Sequence, residues 1–355
     1  MNTDFLRLIP SIFTILYATY GTWFLIIEIF CSIVPFTIIF TCLIALAIHF
    51  CSIPPPGDNA AEAVLGKEPH LENEAADYVM RTVAHRGAGL DAPENSLEAF
   101  RLCNEKGCNA IEFDVTLTKD GIPIVFHDKT LERMADMNVV ISQTAWEDLQ
   151  NIDISVKHPY KDRFTNTNIP TLDQAVAQML ACGQRMFIDI KDNNTKMVKV
   201  ILDLFTNNPD LISRAAVTSF FPNIIYLVRR GNPKIVCCLA WRPNVFAYHS
   251  YKYPEGKGER RANMWYKHFW LCFCDILNYW ALSRLTYYIL GLSVILLHKD
   301  ALSGEAILNW RKKGVRVIAW SVNSPTEKQH IARNLKITYL TDTLTGESTA
   351  HTIPS

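Results

Sequence analysis

Between Thr82 and Thr341 the chain alternates short apolar runs with helical patterns, and the number of those runs decides what it can fold into. The candidate strands are Thr82–His85, Ala110–Asp114, Ile124–His127, Met186–Lys191, Ala215–Phe220, Ile235–Leu239, Ser293–Leu297, Val315–Trp320 and Ile337–Thr341. Most are continuously apolar, as strands buried on both faces are. Helical patterns separate them at Asn95–Glu105, Leu172–Ala181, Thr195–Phe205, Pro222–Arg230, Ser303–Lys312 and Thr326–Asn334. Gly107, Gly183, Gly231 and Gly314 stand where helices stop, and Asn95 with Glu98 has capping-box spacing. Asp114 and Ile124 are too close for a crossover helix, so Ile124–His127 is the return arm of a hairpin turning at Lys119-Asp120-Gly121. Eight strands remain. Eight parallel strands with helices make a (β/α)8 barrel, an α/β fold; a doubly wound open sheet is the alternative.

The N-terminus belongs to another class of structure. From Leu8 to Ile53 the only charged residue is Glu28. Such a run exceeds the ~20 apolar residues that cross a bilayer and the shorter core of a cleaved signal peptide. It reads as a retained transmembrane anchor, either one tilted span kinked at Pro35 or two spans, Leu8–Ile27 and Ile33–Ile53. Arg7 before the run, with Asp58 and Glu62 after it, places the N-terminus in the cytoplasm. A single span then puts the body of the protein in the lumen or outside, in the endoplasmic reticulum or plasma membrane. The organisation read from these features is an anchor over 1–56, a linker with a short helix over 57–79, a barrel over 80–345 and a tail over 346–355.

Two insertions interrupt the barrel, at about 130–170 and 242–292. The second is dense in aromatics between Trp265 and Leu292. Both of its ends return to one barrel, so it reads as a hairpin-like, membrane-associated element at the headgroup boundary rather than a crossing. A buried hairpin packed on the barrel is the alternative.

Formal charge is zero, which gives no electrostatic case for nucleic acid. The ten cysteines form no CxxC and no Cys/His run of zinc spacing. Asn193-Asn194-Thr195 is a glycosylation sequon, but it lies beside a candidate site residue.

Polar residues break the apolar runs at their C-terminal ends, where this barrel keeps its chemistry. Strand residues two apart share a face, so Glu112 pairs with Asp114 and Asp189 with Lys191. His85 ends the first strand, with Arg86 beyond it. A hairpin centred near Asp120-Gly121 sets His127 opposite Asp114. Glu112, Asp114 and Asp189 offer hard oxygen ligands for a divalent metal, Mg²⁺ more than Ca²⁺. Arg86 supplies a planar fork for phosphate and Lys191 a point charge. His85 and His127 suit general acid and base work near neutral pH.

In order, His85-Arg86-Gly87, Pro93-Glu94-Asn95-Ser96, Glu112 and Asp114, Asp120-Gly121 and His127-Asp128 resemble the signature of the glycerophosphodiester phosphodiesterase family. The resemblance continues through Asp189-Ile190-Lys191, Trp320-Ser321-Val322-Asn323 and Thr341-Asp342. It implies metal ligands at Glu112 and Asp114, with Asp189 standing one methylene short of the family's glutamate. It implies catalytic histidines at His85 and His127, phosphate-binding cations at Arg86 and Lys191, and a site wall at Trp320 and Asn323. Asn95 reads chiefly as a helix cap, and Glu94 as structural or as a support behind the site residues.

The expected activity is metal-dependent hydrolysis of glycerophosphodiesters, such as glycerophosphoinositol, to glycerol 3-phosphate and an alcohol. The resemblance implies that the glycerol 2-hydroxyl attacks first and gives a cyclic phosphate. Lysophospholipase D-like hydrolysis of lysophospholipids or glycerophospho-N-acylethanolamines is the alternative substrate class. A membrane scaffold binding a regulatory protein partner is the alternative of another kind, and a phosphoinositide phospholipase C-like enzyme matches the motifs less well.

Overall fold

A computed structural model describes residues 3–71, 78–252 and 256–347 of the chain. It divides into two units between Ser52 and Ile53. The first is one helix, Thr3–Cys51, uninterrupted at Pro35. Its stretch Phe13–Cys51, 39 residues, is apolar enough to cross a membrane by length and composition. At 1.5 Å per residue that is about 58 Å, against ~30 Å of hydrocarbon. Side chains such as Trp23 and Phe36 are exposed.

In the second unit the strands are β1 (Thr82–His85), β2 (Ala110–Leu117), β3 (Pro123–Val125), β4 (Arg185–Ile190), β5 (Ala215–Ser219), β6 (Val236–Trp241), β7 (Tyr251–Lys252), β8 (Gly256–Lys257), β9 (Val294–His298), β10 (Arg316–Trp320) and β11 (Thr338–Thr341). Eight of them close in the order β1-β2-β4-β5-β6-β9-β10-β11, every neighbour parallel and β11 pairing back to β1. This is the (β/α)8 barrel read from the sequence. β3 runs antiparallel on β2, and β7 with β8 makes a separate ribbon.

The inward faces explain how the barrel carries a site. Low in the barrel they are apolar: Val83, Ala110, Phe187, Ala216, Leu296, Ile318 and Leu340 form one buried cluster. Two residues further along the same strands stand His85, Glu112, Asp189, Thr218, His298, Trp320 and Asp342. Apolar packing therefore fills the bottom, and the polar groups gather at the C-terminal mouth. A larger cluster, with Phe100, Phe113, Ile188, Ile201 and Ile295, fills the layer between strands and helices.

Several sequence expectations need correction. The short helix expected in the linker is Asp58–Leu65, but it does more than connect. Its Val64 and Leu65, with Met80, join the cluster at the bottom of the barrel, so the segment stoppers it. Residues 72–77 of that stretch lie outside the described residues, as do residues 348–355 of the tail. The hairpin pairs Val115 with Val125 and Thr116 with Ile124. Its turn is centred on Asp120 itself, which slips the register by one and sets Phe126, not His127, opposite Asp114.

The aromatic insertion is not hairpin-like. Trp265–Ala281 is a single helix that continues through a π-helical turn, Leu282–Thr286, into Tyr287–Leu290. It is the crossover from β6 to β9. The other insertion carries its own small core, in which Leu131, Met134, Ile141, Leu149 and Ile154 pack on Ile124 and Phe126.

Candidate active site

Glu112, Asp114 and Asp189 come together at the mouth, each buried, with one carboxylate oxygen apiece within 4.8 Å of the others. Adjacent parallel strands bring this about, because β2 and β4 pair Asp114 directly with Asp189. Asp189, shorter than its family counterpart, still reaches the cluster, held by the Thr218 hydroxyl at 2.8 Å. The Lys191 ammonium bridges Asp189 and Asp114, 2.8 Å from the latter. Arg86 has φ +54, and its backbone N–H donates to Glu112 at 2.9 Å. Its Nε stands 3.3 Å from Asp114.

Burial and the neighbouring Asp114 carboxylate push Glu112 up to about 8. Burial acts the same way on Asp114, but Lys191 and Arg86 outweigh it and hold Asp114 well below the usual carboxylate range. Three buried carboxylates against two cations, with Glu112 resisting ionisation beside Asp114, is a donor set that a divalent cation fits. All the donors are hard oxygens, as Mg²⁺ and Ca²⁺ require.

Both histidines are backed by carboxylates. His85 Nδ1 bonds Asp342, and its Nε2 lies 3.8 Å from Glu112. Burial alone would lower His85, yet Glu112 and Asp342 together raise it. Burial likewise opposes ionisation of Asp342, but its bond to His85 brings it down to about 2. His127 Nδ1 lies 2.6 Å from Asp128 Oδ1, and Asp128 is also lowered to about 2, by His127 and Arg133 against its burial. An ionised carboxylate only accepts, so Nδ1 of each ring carries the proton and each Nε2 is left for chemistry.

The remaining expected residues are placed as follows. The Trp320 indole meets His298 and Phe220 edge-on, with centroids 4.7 and 5.7 Å apart, and donates to the Trp241 carbonyl. Asn323 stands behind Asp342, donating to it at 2.6 Å and accepting from its backbone N–H. Asn95 is not the helix cap; Ser96 is, accepting from the Ala99 N–H. Asn95 is instead fully buried and bonds Asp114 twice. Glu94 is clamped between Arg86 and Arg133.

Arg133 and the supporting role of Asp342 escaped sequence reasoning. Asp342 carried a legible signal, an acidic residue just past the last barrel strand. Arg133 sits in an irregular insertion with no period to mark it.

Residues 85–342 match the model of the glycerophosphoryl diester phosphodiesterase family. The chain belongs to that family. It is 31% identical over 269 residues to glycerophosphodiester phosphodiesterase 1 of Homo sapiens, covering 76% of this chain and 80% of the relative. The Bos taurus protein of that name is 32% identical over 267 residues, covering 75% and 79%. Among solved structures, an Oleispira antarctica phosphodiesterase in complex with the product sn-glycerol-3-phosphate superposes with a TM-score of 0.59. The match covers 76% of this chain and 96% of that one at 19% identity, a likeness of fold. As a member of the family, the protein is a phosphoric diester hydrolase.

Proposed function

We propose that the protein hydrolyses glycerophosphodiesters to glycerol 3-phosphate and an alcohol by two-histidine acid–base catalysis at the carboxylate cluster. The observation that carries the reading is the pair of carboxylate-backed imidazoles flanking three buried carboxylates and two cations. Arg86 and Lys191 bind and neutralise the phosphoryl oxygens. One histidine takes the proton of the glycerol 2-hydroxyl as that oxygen bonds to phosphorus. The other gives a proton to the departing alcohol oxygen as its P–O bond breaks. The reverse transfers then add water across the cyclic phosphate. Such proton transfers contribute about 10²–10⁴-fold each.

Glu112, Asp114 and Asp189 would hold the divalent metal, Mg²⁺ rather than Ca²⁺ in our reading. When bound it polarises the phosphate as a Lewis acid. The N-terminal helix anchors the enzyme in the endoplasmic reticulum or plasma membrane, with the catalytic domain lumenal or extracellular. An intact site argues for catalysis over a purely scaffolding role.

Phosphorus NMR of full-length protein incubated with glycerophosphoinositol tests the reaction. Glycerol 3-phosphate is the expected product. Inositol phosphate with free glycerol would place the cleavage on the other ester bond and refute the reading, as would a folded His127→Ala variant that keeps its turnover.

A further inference from the structure

The helix Trp265–Ala281 is built inside out. Successive helical residues turn by about 100°. On one side His268 and Asp275, both half-buried, face the domain, and the exposed Tyr279 leans on it. Asp275 accepts from the backbone N–H groups of Phe246 and Ala247, at 2.9 and 3.0 Å. His268 meets the Tyr248 ring, and Tyr279 the Trp241 ring, with centroids 5.2 and 5.7 Å apart. The opposite arc holds Phe269, Trp270, Phe273, Ile276, Leu277 and Trp280, all exposed. Phe269 is 71% exposed and Ile276 66%. A soluble protein's surface helix turns its apolar stripe inward. Here the inward stripe carries the polar anchors, and the outward arc is aromatic and aliphatic. A continuous apolar face of this kind marks an interaction site.

Chain connectivity points to the occupant. The apolar N-terminal helix ends at Cys51. Two residues on, the Ile53 N–H donates to the Ile289 carbonyl at 3.0 Å. Arg229, fully buried, donates to the carbonyls of both Pro54 and Leu290. Gly291 closes the aromatic helix at φ +58, where a Cβ would lie 2.1 Å from the Ile53 carbonyl oxygen, so only glycine lets the two segments meet. Whatever membrane the anchor leaves, the chain is stitched to the end of the aromatic helix directly afterwards.

We infer that the outward arc of the helix Trp265–Ala281 lies in the plane of the bilayer surface, as a second membrane attachment in addition to the anchor. Ten of its 17 residues are exposed and seven are half-buried against the domain, so the helix rests on the protein along its length. Both its ends continue into barrel strands, which also excludes a crossing. Tryptophan and tyrosine suit the headgroup boundary. Lys267 and Arg284, both exposed, place cations at either end of the arc for lipid phosphates.

The attachment adjoins the site. Trp241, which meets Tyr279, also accepts through its carbonyl from the Trp320 indole at the mouth. The helix thus neighbours the wall of the mouth, a placement that suits amphipathic diesters drawn from a lipid surface over freely soluble ones. This deepens the hydrolase reading as to where substrate comes from. The attachment itself rests only on the N-terminal helix being an anchor, so its test reads contact and not turnover.

The experiment is photocrosslinking of the full-length protein in phosphatidylcholine vesicles. p-Benzoylphenylalanine replaces Phe269, Ile276 or, as a control on another exposed surface, Tyr160. Lipid adducts by mass at 269 and 276, absent at 160, are the expected result. A crosslinked dimer from 269 or 276 would overturn the inference in favour of self-association. No adduct at either position, or equal lipid adducts at 160, would overturn it too. Loss of turnover with the adducts intact would count against the catalytic reading alone.

Discussion

Asn95 and Asp114 hold each other by two hydrogen bonds in the floor of the site. Asn95 Nδ2 donates to Asp114 Oδ2 at 2.8 Å, and the Asp114 backbone N–H donates to Asn95 Oδ1 at 3.1 Å. One carboxylate oxygen is thereby fixed in direction while the other meets Lys191. Asn95 adopts φ +58 to do this, a conformation asparagine tolerates better than most residues. Partners behind a metal ligand typically carry about 10–100-fold in metal affinity. Asn95→Ala is expected to weaken the metal dependence of activity by that factor with the fold retained. A metal titration of turnover checks it.

Asp342 is expected to act only through His85. Asp342→Asn keeps the shape but removes the charge that fixes the ring's tautomer. By analogy with other histidine–aspartate pairs, kcat should fall about 10²–10⁴-fold, with KM little changed. Steady-state kinetics on a soluble diester measures it; an equal change in KM with kcat preserved would show that Asp342 serves binding instead.

Asp91 links the loop after β1 to the segment after β11. It accepts from Lys106 Nζ at 2.7 Å, the Thr343 hydroxyl at 2.7 Å and the Leu344 N–H at 2.9 Å. Burial opposes its ionisation, but these donors hold its carboxyl below the usual range. A depressed folded value means that the ionised form adds stability above about pH 4, and that this is lost as pH falls through the folded value. Asp91→Asn should therefore lower Tm at pH 7, and the gap to the wild type should close towards pH 3. A gap that is constant over that range would contradict the assignment.

Arg229 is among the largest fully buried side chains of the described residues, and it is bonded to backbone carbonyls of Pro54, Pro233, Ile235 and Leu290. Arg229→Leu strands those acceptors without water. A loss of about 3 kcal/mol or more is expected, since each unsatisfied buried group costs ~1–3 kcal/mol. Chemical denaturation of the full-length protein reads it.

Much of this was legible because the barrel writes its site in a simple code. Apolar runs ending in His85, Glu112–Asp114, Asp189–Lys191 and Trp320 mark both the strands and the mouth. What was not legible follows from contacts that no local pattern encodes. Asn95 and Ser96 are adjacent capping residues, and only the tertiary contact with Asp114 decides which one caps. The hairpin register depends on a turn centre that shifts by one residue. The segment before β1 looks polar, although one face of its short helix stoppers the barrel. The Trp265–Leu290 helix hides its period because its outward face is as apolar as a core.

The central claim, metal-assisted hydrolysis at the carboxylate cluster, is tested most directly by chelation and add-back. Full-length protein is stripped with EDTA, returned to Mg²⁺, and assayed for glycerol 3-phosphate beside Glu112→Ala. The account predicts that turnover vanishes on stripping and returns with Mg²⁺ in the wild type. In the variant, with circular dichroism unchanged, it should stay absent. Turnover that survives chelation and persists in Glu112→Ala would contradict the account.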